Sequence, residues 1–169
     1  VHRRADLVAH VGEELALHPA GRIGRGALAL QPLLRGEHGA VKHFLYDVRQ
    51  ASANLCLKII IESGELVTAQ QVAKATELAI ESGADFVKTS TGKVPVGVTE
   101  EAARIMLTVI AAAGRQVGFK ASGGVRTIEQ ALSLVQLYEN TTGNIATSQY
   151  MRIGASALAY ELYQALNAQ

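Results

Sequence analysis

The stretch Phe86-Val87-Lys88-Thr89-Ser90-Thr91-Gly92-Lys93, directly after Ser82-Gly83-Ala84-Asp85, decides how this chain is read. Asp85 to Ser90 has the makings of a short buried strand that opens into a loop of small residues. A lysine there needs a reason, because buried lysine is rare unless it is paired or chemically employed. The same setting recurs in Val117-Gly118-Phe119-Lys120-Ala121-Ser122-Gly123-Gly124. Two strand-borne lysines, each ahead of a Ser/Thr/Gly-rich loop, point to amine chemistry beside an anion site.

Working outward, Leu57-Lys58-Ile59-Ile60-Ile61-Glu62 is rich in β-branched residues and predicts another strand. Period-two alternation sets Lys58 on the side opposite Leu57 and Ile59, the interior if the sheet closes into a barrel. Val41, Phe44, Leu45 and Val48 have the spacing of a helix facing a core. Thr68 with Gln71 forms a capping box, opening a helix that should stop near Gly83. Thr99, followed by Glu100 and Glu101, caps a helix expected to end at Gly114. Thr127 with Gln130 is a second capping box. A looser stretch, Asn140–Ser148, precedes a strand at Tyr150–Gly154 and a last helix from Ser156.

Strand starts near 57, 86, 117 and 150 are about thirty residues apart, the length of one βα unit. Such alternation implies a parallel sheet, either open and doubly wound or closed as a (β/α)8 TIM barrel. In both, functional groups collect at the C-terminal ends of strands, where Lys88, Lys120 and Ser156 lie. A barrel takes about 250 residues. This chain, with 169, carries about half of one.

The chemistry open to Lys88 follows from its amine. A free lysine titrates near 10.4, whereas imine formation with a carbonyl needs the neutral amine. Lowering that value by about three units disfavours the ammonium by roughly 4 kcal/mol, within reach of burial plus a neighbouring cation. Lys120, expected on the adjacent strand, can be that cation and can carry protons. Snorkelling of both lysines to solvent is the plain alternative. Thr91-Gly92-Lys93, Ser122-Gly123-Gly124 and Gly154-Ala155-Ser156 offer N–H groups, hydroxyls and a helix N-terminus suited to phosphate. Equally, those glycines can be turns and Ser156 an N-cap.

Composition narrows the class. The chain is 49% hydrophobic, carries a formal net charge of +1 and has one cysteine. That balance argues against nucleic acid as a partner, and no apolar run is long enough for a membrane span. Cys56 is expected to be a small core residue in a reducing, cytoplasmic setting. The opening differs from the rest: all five histidines lie at or before His43, and no lysine precedes Lys42. Residues 1–35 are therefore taken apart from 36–169. Within them Asp6–Leu17 is expected to be an amphipathic helix. Gly21-Arg22-Ile23-Gly24-Arg25-Gly26 resembles a phosphate fingerprint only superficially, since no strand is expected before it.

Taken together, the blocks Leu57–Leu66, Gly83–Lys93, Gly118–Thr127 and Arg152–Ser156 closely resemble deoxyribose-phosphate aldolase, a class I aldolase, over roughly residues 33–166. The resemblance implies the C-terminal half of a (β/α)8 barrel. It implies reversible cleavage of 2-deoxyribose 5-phosphate to glyceraldehyde 3-phosphate and acetaldehyde, with no metal or other cofactor. Lys88 matches the Schiff-base lysine and Lys120 the second catalytic lysine. Lys58 matches a further lysine of the site. Thr91, Lys93, Gly123, Gly124, Gly154 and Ser156 fall in the substrate-gripping loops. The implied partner is a small sugar phosphate, and association into a homo-oligomer is compatible with it.

Departures limit that implication. The family's acidic proton-shuttle strand is expected at about Gly21–Gln31, yet no carboxylate lies between Glu14 and Glu37. Ala157 stands where the family has a second serine. One hypothesis covers both the lost acid and the Arg/His/Gly-rich opening: a shift of reading frame upstream of about residue 33.

Overall fold

From Lys58 onward each strand is followed by a helix that carries the chain back, so successive strands pair in parallel. The computed structural model describes residues 14–18, 27–29, 32–33, 35–52 and 55–167. In chain order these form β1 (Glu14–His18), β2 (Ala27–Ala29), α1 (His38–Ala51), β3 (Lys58–Ile60) and a 3-10 turn (Ser63–Glu65). There follow α2 (Ala69–Glu81), β4 (Phe86–Lys88), α3 (Glu100–Ala111), β5 (Gly118–Ser122), α4 (Ile128–Thr142), β6 (Met151–Gly154) and α5 (Ser156–Asn167). The sheet order is β2-β1-β3-β4-β5-β6, all parallel. Its four βα units from β3 to α5 are half of a (β/α)8 barrel.

Local chemistry starts the helices where expected. Thr68 and Thr127 each accept the N–H of the glutamine three residues on, and that glutamine's side chain accepts the threonine N–H in return. Thr99 accepts from the Ala102 N–H at 3.1 Å. Gly83 (φ 89) and Gly143 (φ 72) follow α2 and α4 in the left-handed conformation that ends helices.

The sheet has two differently furnished faces. Ile59, Ile61, Val87, Phe119, Ala121, Met151 and Ile153 pack with Val72, Leu78, Met106, Leu107 and Leu134 of the helices in one apolar core. The opposite face carries Lys58, Ile60, Phe86, Lys88, Lys120 and Arg152. At the N-terminal ends of the strands Asp85 accepts from Arg49 at 2.9 Å and from the Leu57 N–H at 2.8 Å. Arg115 binds the carbonyls of Ile80 and Ala84 at 2.6 and 2.8 Å. That end is built for stability, leaving the other for function.

Several expectations change. Glu14–His18 is a strand rather than the end of a helix. Leu15 and Leu17 alternate as well as they fit a helical stripe, and β3 pairs with Leu15 and β2 with Leu17. Residues 6–13 of that expected helix lie outside the described residues, as does Gly21–Gly26, although a strand does precede the latter. The described sheet thus has six strands, not four. The strand beside β3 is β1, with Glu14 in register with Lys58, while β2 in the Gly21–Gln31 stretch lies one strand further out. Phe44 is 44% exposed, because α1 buries only the narrower face holding Val41 and Leu45. Cys56 is exposed in the surface link before β3.

Candidate active site

Four residues stand in one row across the sheet. Ile60 is in register with Lys88, Lys88 with Lys120, and Lys120 with Arg152. Register partners on parallel strands are about 4.8 Å apart and project to the same face. Lys58 lies on that face as well, one layer lower, in register with Phe86. All three lysines are buried: Lys58 is 1% exposed, Lys88 and Lys120 each 7%. Neither lysine of the row snorkels into open solvent.

Glycines make the space. In the lower layer the Phe86 ring occupies the place a side chain would take at Gly118, where a Cβ would stand 2.2 Å from its Cε1. The Arg152 guanidinium lies 4.3 Å from the centroid of the same ring, and its Nε donates to the Ser148 carbonyl at 2.9 Å. In the upper layer Lys120 passes beside Gly154, where a Cβ would stand 3.0 Å from the lysine Cε.

Above the row the loops after β3, β4 and β5 form a continuous rim. Thr89 and Ser122 exchange two hydrogen bonds of 2.9 Å through the Thr89 hydroxyl. The Ser122 hydroxyl donates to the Ser90 carbonyl at 2.5 Å. Gly97 and Gly123 meet backbone to backbone, and the Val98 N–H donates to the Gly123 carbonyl at 2.9 Å. Glu62, at 0% exposure, accepts from the Ser90 hydroxyl at 2.5 Å and from the Thr91 hydroxyl at 2.7 Å.

Residues 40–158 match the model of the DeoC/LacD family aldolases, and the match takes in every strand and loop of this site. The chain belongs to that family. Among similar solved structures is a Coccidioides immitis protein assigned as a deoxyribose-phosphate aldolase, 30% identical with a TM-score of 0.70. The match covers 82% of this chain and 50% of that one. An aldolase called QR15 is 27% identical with a TM-score of 0.65, over 82% of this chain and 57% of its own. The fold also matches the tetrameric deoxyribose phosphate aldolase of Aeropyrum pernix, at 23% identity and a TM-score of 0.60, over 78% and 50% of the two chains. This chain thus spans about half the length of the solved aldolases it matches. No helix among the described residues is long and apolar enough to cross a membrane.

The aldolase fold brings most of the residues singled out above to one place. Lys58, Lys88 and Lys120 share the inner face. Ser122 and Gly154 are in register, so the loops holding Gly123, Gly124 and Ser156 start side by side. A Cβ on Gly92 would stand 3.8 Å from Gly123 Cα, which sets the Thr91–Lys93 loop against the same point. Lys93, Gly124 and Ser156 are exposed there. Ser156 is the first residue of α5 rather than its cap: the Ala155 carbonyl accepts the first helical bond, from Ala159 at 3.4 Å. Thr91 spends its N–H and its hydroxyl proton on Glu62, and its oxygen accepts the Lys93 N–H at 3.2 Å. Among the described residues, no three His, Cys, Asp or Glu groups are placed to hold a metal ion.

Two further residues of the row and rim carry little signal in the sequence. Arg152 was visible only as a basic residue two positions before Gly154, and Glu62 only as the end of a strand. For Glu62 the alternation that turns Lys58 and Ile60 inward was the available signal.

Proposed function

We propose that this chain is the lysine-bearing half of a deoxyribose-phosphate aldolase, in which Lys88 forms the Schiff base. The observation that carries this reading is the register of Lys88 with Lys120 on adjacent buried strands beneath a Gly/Ser/Thr rim. The Lys88 amine adds to the C1 aldehyde of open-chain 2-deoxyribose 5-phosphate, and loss of water leaves an iminium. A base takes the proton of the C3 hydroxyl. The C2–C3 bond then breaks, its electrons flow into the iminium to give an enamine, and glyceraldehyde 3-phosphate departs. Protonation at C2 and hydrolysis release acetaldehyde and regenerate the amine. Lys120 is the proton carrier nearest in register to that centre, and its charge favours the neutral form of the attacking amine.

The substrate's phosphate is assigned to the exposed side of the rim: Lys93, Gly123, Gly124 and the start of α5 at Ser156. Thr91 shapes that loop, Gly154 clears the way for Lys120, and Lys58 supplies further positive charge below. Turnover by this chain is expected to be weak on its own. Among the described residues β2 and β6 are unpaired on their outer sides, and the relatives are about twice as long. Pairing of two copies or supply of the remaining strands would complete the wall.

Borohydride reduction in the presence of acetaldehyde, followed by peptide mapping, tests the central claim. An adduct on Lys88 is expected, and its absence would sink the catalytic reading. The open sheet favours one alternative, a sugar-phosphate-binding half-barrel without catalysis. It predicts 2-deoxyribose 5-phosphate binding that survives Lys88→Ala, with no adduct on the unaltered chain.

A further inference from the structure

Glu62 is the only non-glycine residue among the described ones with a positive φ, at φ 50 and ψ 58. Left-handed backbone at a residue with a side chain persists only where the surroundings hold it there. Here they do. Ile61 donates to the Lys88 carbonyl at 3.0 Å and Ser63 to the Thr89 carbonyl at 2.8 Å, so both neighbours of Glu62 are tied to the end of β4 and the residue that follows it. The turn between them drives the carboxylate under the loop that follows Lys88.

That carboxylate, 0% exposed, collects a converging set of donors. Oε1 accepts from the Ser90 hydroxyl at 2.5 Å and from the Thr91 N–H at 3.1 Å, and Oε2 accepts from the Thr91 hydroxyl at 2.7 Å. The two hydroxyl oxygens then accept the next amides: Gly92 N–H to Ser90 Oγ at 3.0 Å and Lys93 N–H to Thr91 Oγ1 at 3.2 Å. One side chain therefore organises three successive N–H groups, one directly and two at one remove. Only a carboxylate accepts everywhere and donates nowhere; an amide would turn an NH2 group toward one of these donors. Hydroxyls that look in the sequence like phosphate ligands are thereby turned inward, and Lys93 is left on the solvent side.

We infer that Glu62 is a positioning residue that fixes the Thr91–Lys93 loop relative to Lys88, and so sets how tightly a phosphate-bearing aldehyde is held. The substrate part of this inference rests on the function proposed above; the loop part does not. A buried negative charge close to an anion-binding loop would otherwise weaken the anion, so its hydrogen-bonded screening by Ser90 and Thr91 is integral to the arrangement.

The test uses the full chain with Glu62→Gln, Glu62→Asp and Glu62→Gly. Glu62→Gly removes the carboxylate while relieving the left-handed backbone, so it should fold at least as readily as Glu62→Gln. Amide hydrogen exchange at Thr91–Lys93 is expected to quicken at least about tenfold in the Gln and Gly variants, with Gly118–Ser122 in β5 unchanged as the internal reference. The inference is overturned if loop exchange matches the unaltered chain, or if β5 quickens equally, which would mark a general loss of stability. Borohydride trapping supplies the second reading. The 2-deoxyribose 5-phosphate concentration for half-maximal labelling should rise at least about tenfold relative to that for acetaldehyde. Glu62→Asp should recover part of both effects. An equal rise for the two aldehydes overturns the substrate part. Failure of the unaltered chain to label at all overturns the proposed function instead, while the exchange result still decides the role of Glu62.

Discussion

Lys120 reaches the C-terminal end of its strand by passing beside Gly154, whose missing side chain leaves its Cε the room: a Cβ there would stand 3.0 Å away. Gly154 has no left-handed backbone requirement, so alanine fits the local conformation and the effect falls on the lysine. Gly154→Ala is expected to cost about 1 kcal/mol of stability, since the flexible Lys120 side chain must yield and the Ser122 Cβ, 3.2 Å from the new methyl, must give slightly. Displacing the amine by a few tenths of an ångström or more should slow imine trapping on Lys88 by about 10–100-fold. Thermal unfolding paired with the trapping rate separates the two. Equal trapping by the variant would remove Lys120 from the mechanism.

Gly118 presents the opposite case. Its absent side chain is filled by the Phe86 ring, over which the Arg152 guanidinium lies. A Cβ would stand 2.2–2.6 Å from three ring atoms, closer than any packing adjustment of tenths can relieve. Gly118→Ala should therefore lower stability by about 1–3 kcal/mol through overpacking. A urea midpoint that drops with unchanged slope is the expected signature.

How far the molecule was legible in the sequence follows from the range of the forces involved. The Thr68–Gln71 and Thr127–Gln130 boxes are complete within four residues, so the helix starts were readable. The pairing of Lys88 with Lys120 was readable because each lysine holds the same place in its own βα unit. Strand β1 was not. Glu-Leu-Ala-Leu-His suits either a strand or the end of an amphipathic helix, and the choice is made by Leu15 pairing with Ile59 far along the chain. Glu62 escaped for the same reason, since the donors that explain it lie 28 and 29 residues away. Phe44 was misplaced because helical spacing marks a stripe without showing how wide a neighbour will cover it.

Tyr138 provides a pH-dependent test away from the site. Burial pushes its phenol above the ordinary value of 10.0, Thr142 opposes the rise, and Tyr150 and Glu139 nearby add to it. The folded state therefore holds this proton after the unfolded chain has released it. The stability contributed by the neutral phenol is fully present below about pH 10 and is lost as pH rises toward the folded value. Stability should fall above about pH 10 by up to about 1.4 kcal/mol per pH unit for this proton. Tyr138→Phe should flatten that part of the curve. Urea midpoints measured at pH 9 and pH 11 on both chains would show it.

The rim makes a claim that side-chain variants elsewhere do not reach. Gly97 meets Gly123 at a place where a Cβ on Gly97 would stand 2.2 Å from the Gly123 carbonyl oxygen, and both partners are backbone. No rotamer change can relieve that contact, so Gly97→Ala must push the β4–α3 loop away from the β5–α4 loop. The Val98 N–H bond to the Gly123 carbonyl, 2.9 Å long, is the first interaction to be lost. Overpacking and that bond together should cost about 2–4 kcal/mol. If Gly123 and Gly124 help to hold the substrate's phosphate, inorganic phosphate should protect the unaltered chain against trapping by 2-deoxyribose 5-phosphate, and Gly97→Ala should weaken that protection several-fold. Trapping by acetaldehyde provides the comparison, because it carries no phosphate and should be far less sensitive to the position of the two loops. Equal protection by phosphate in both chains would place the anion elsewhere than on the rim.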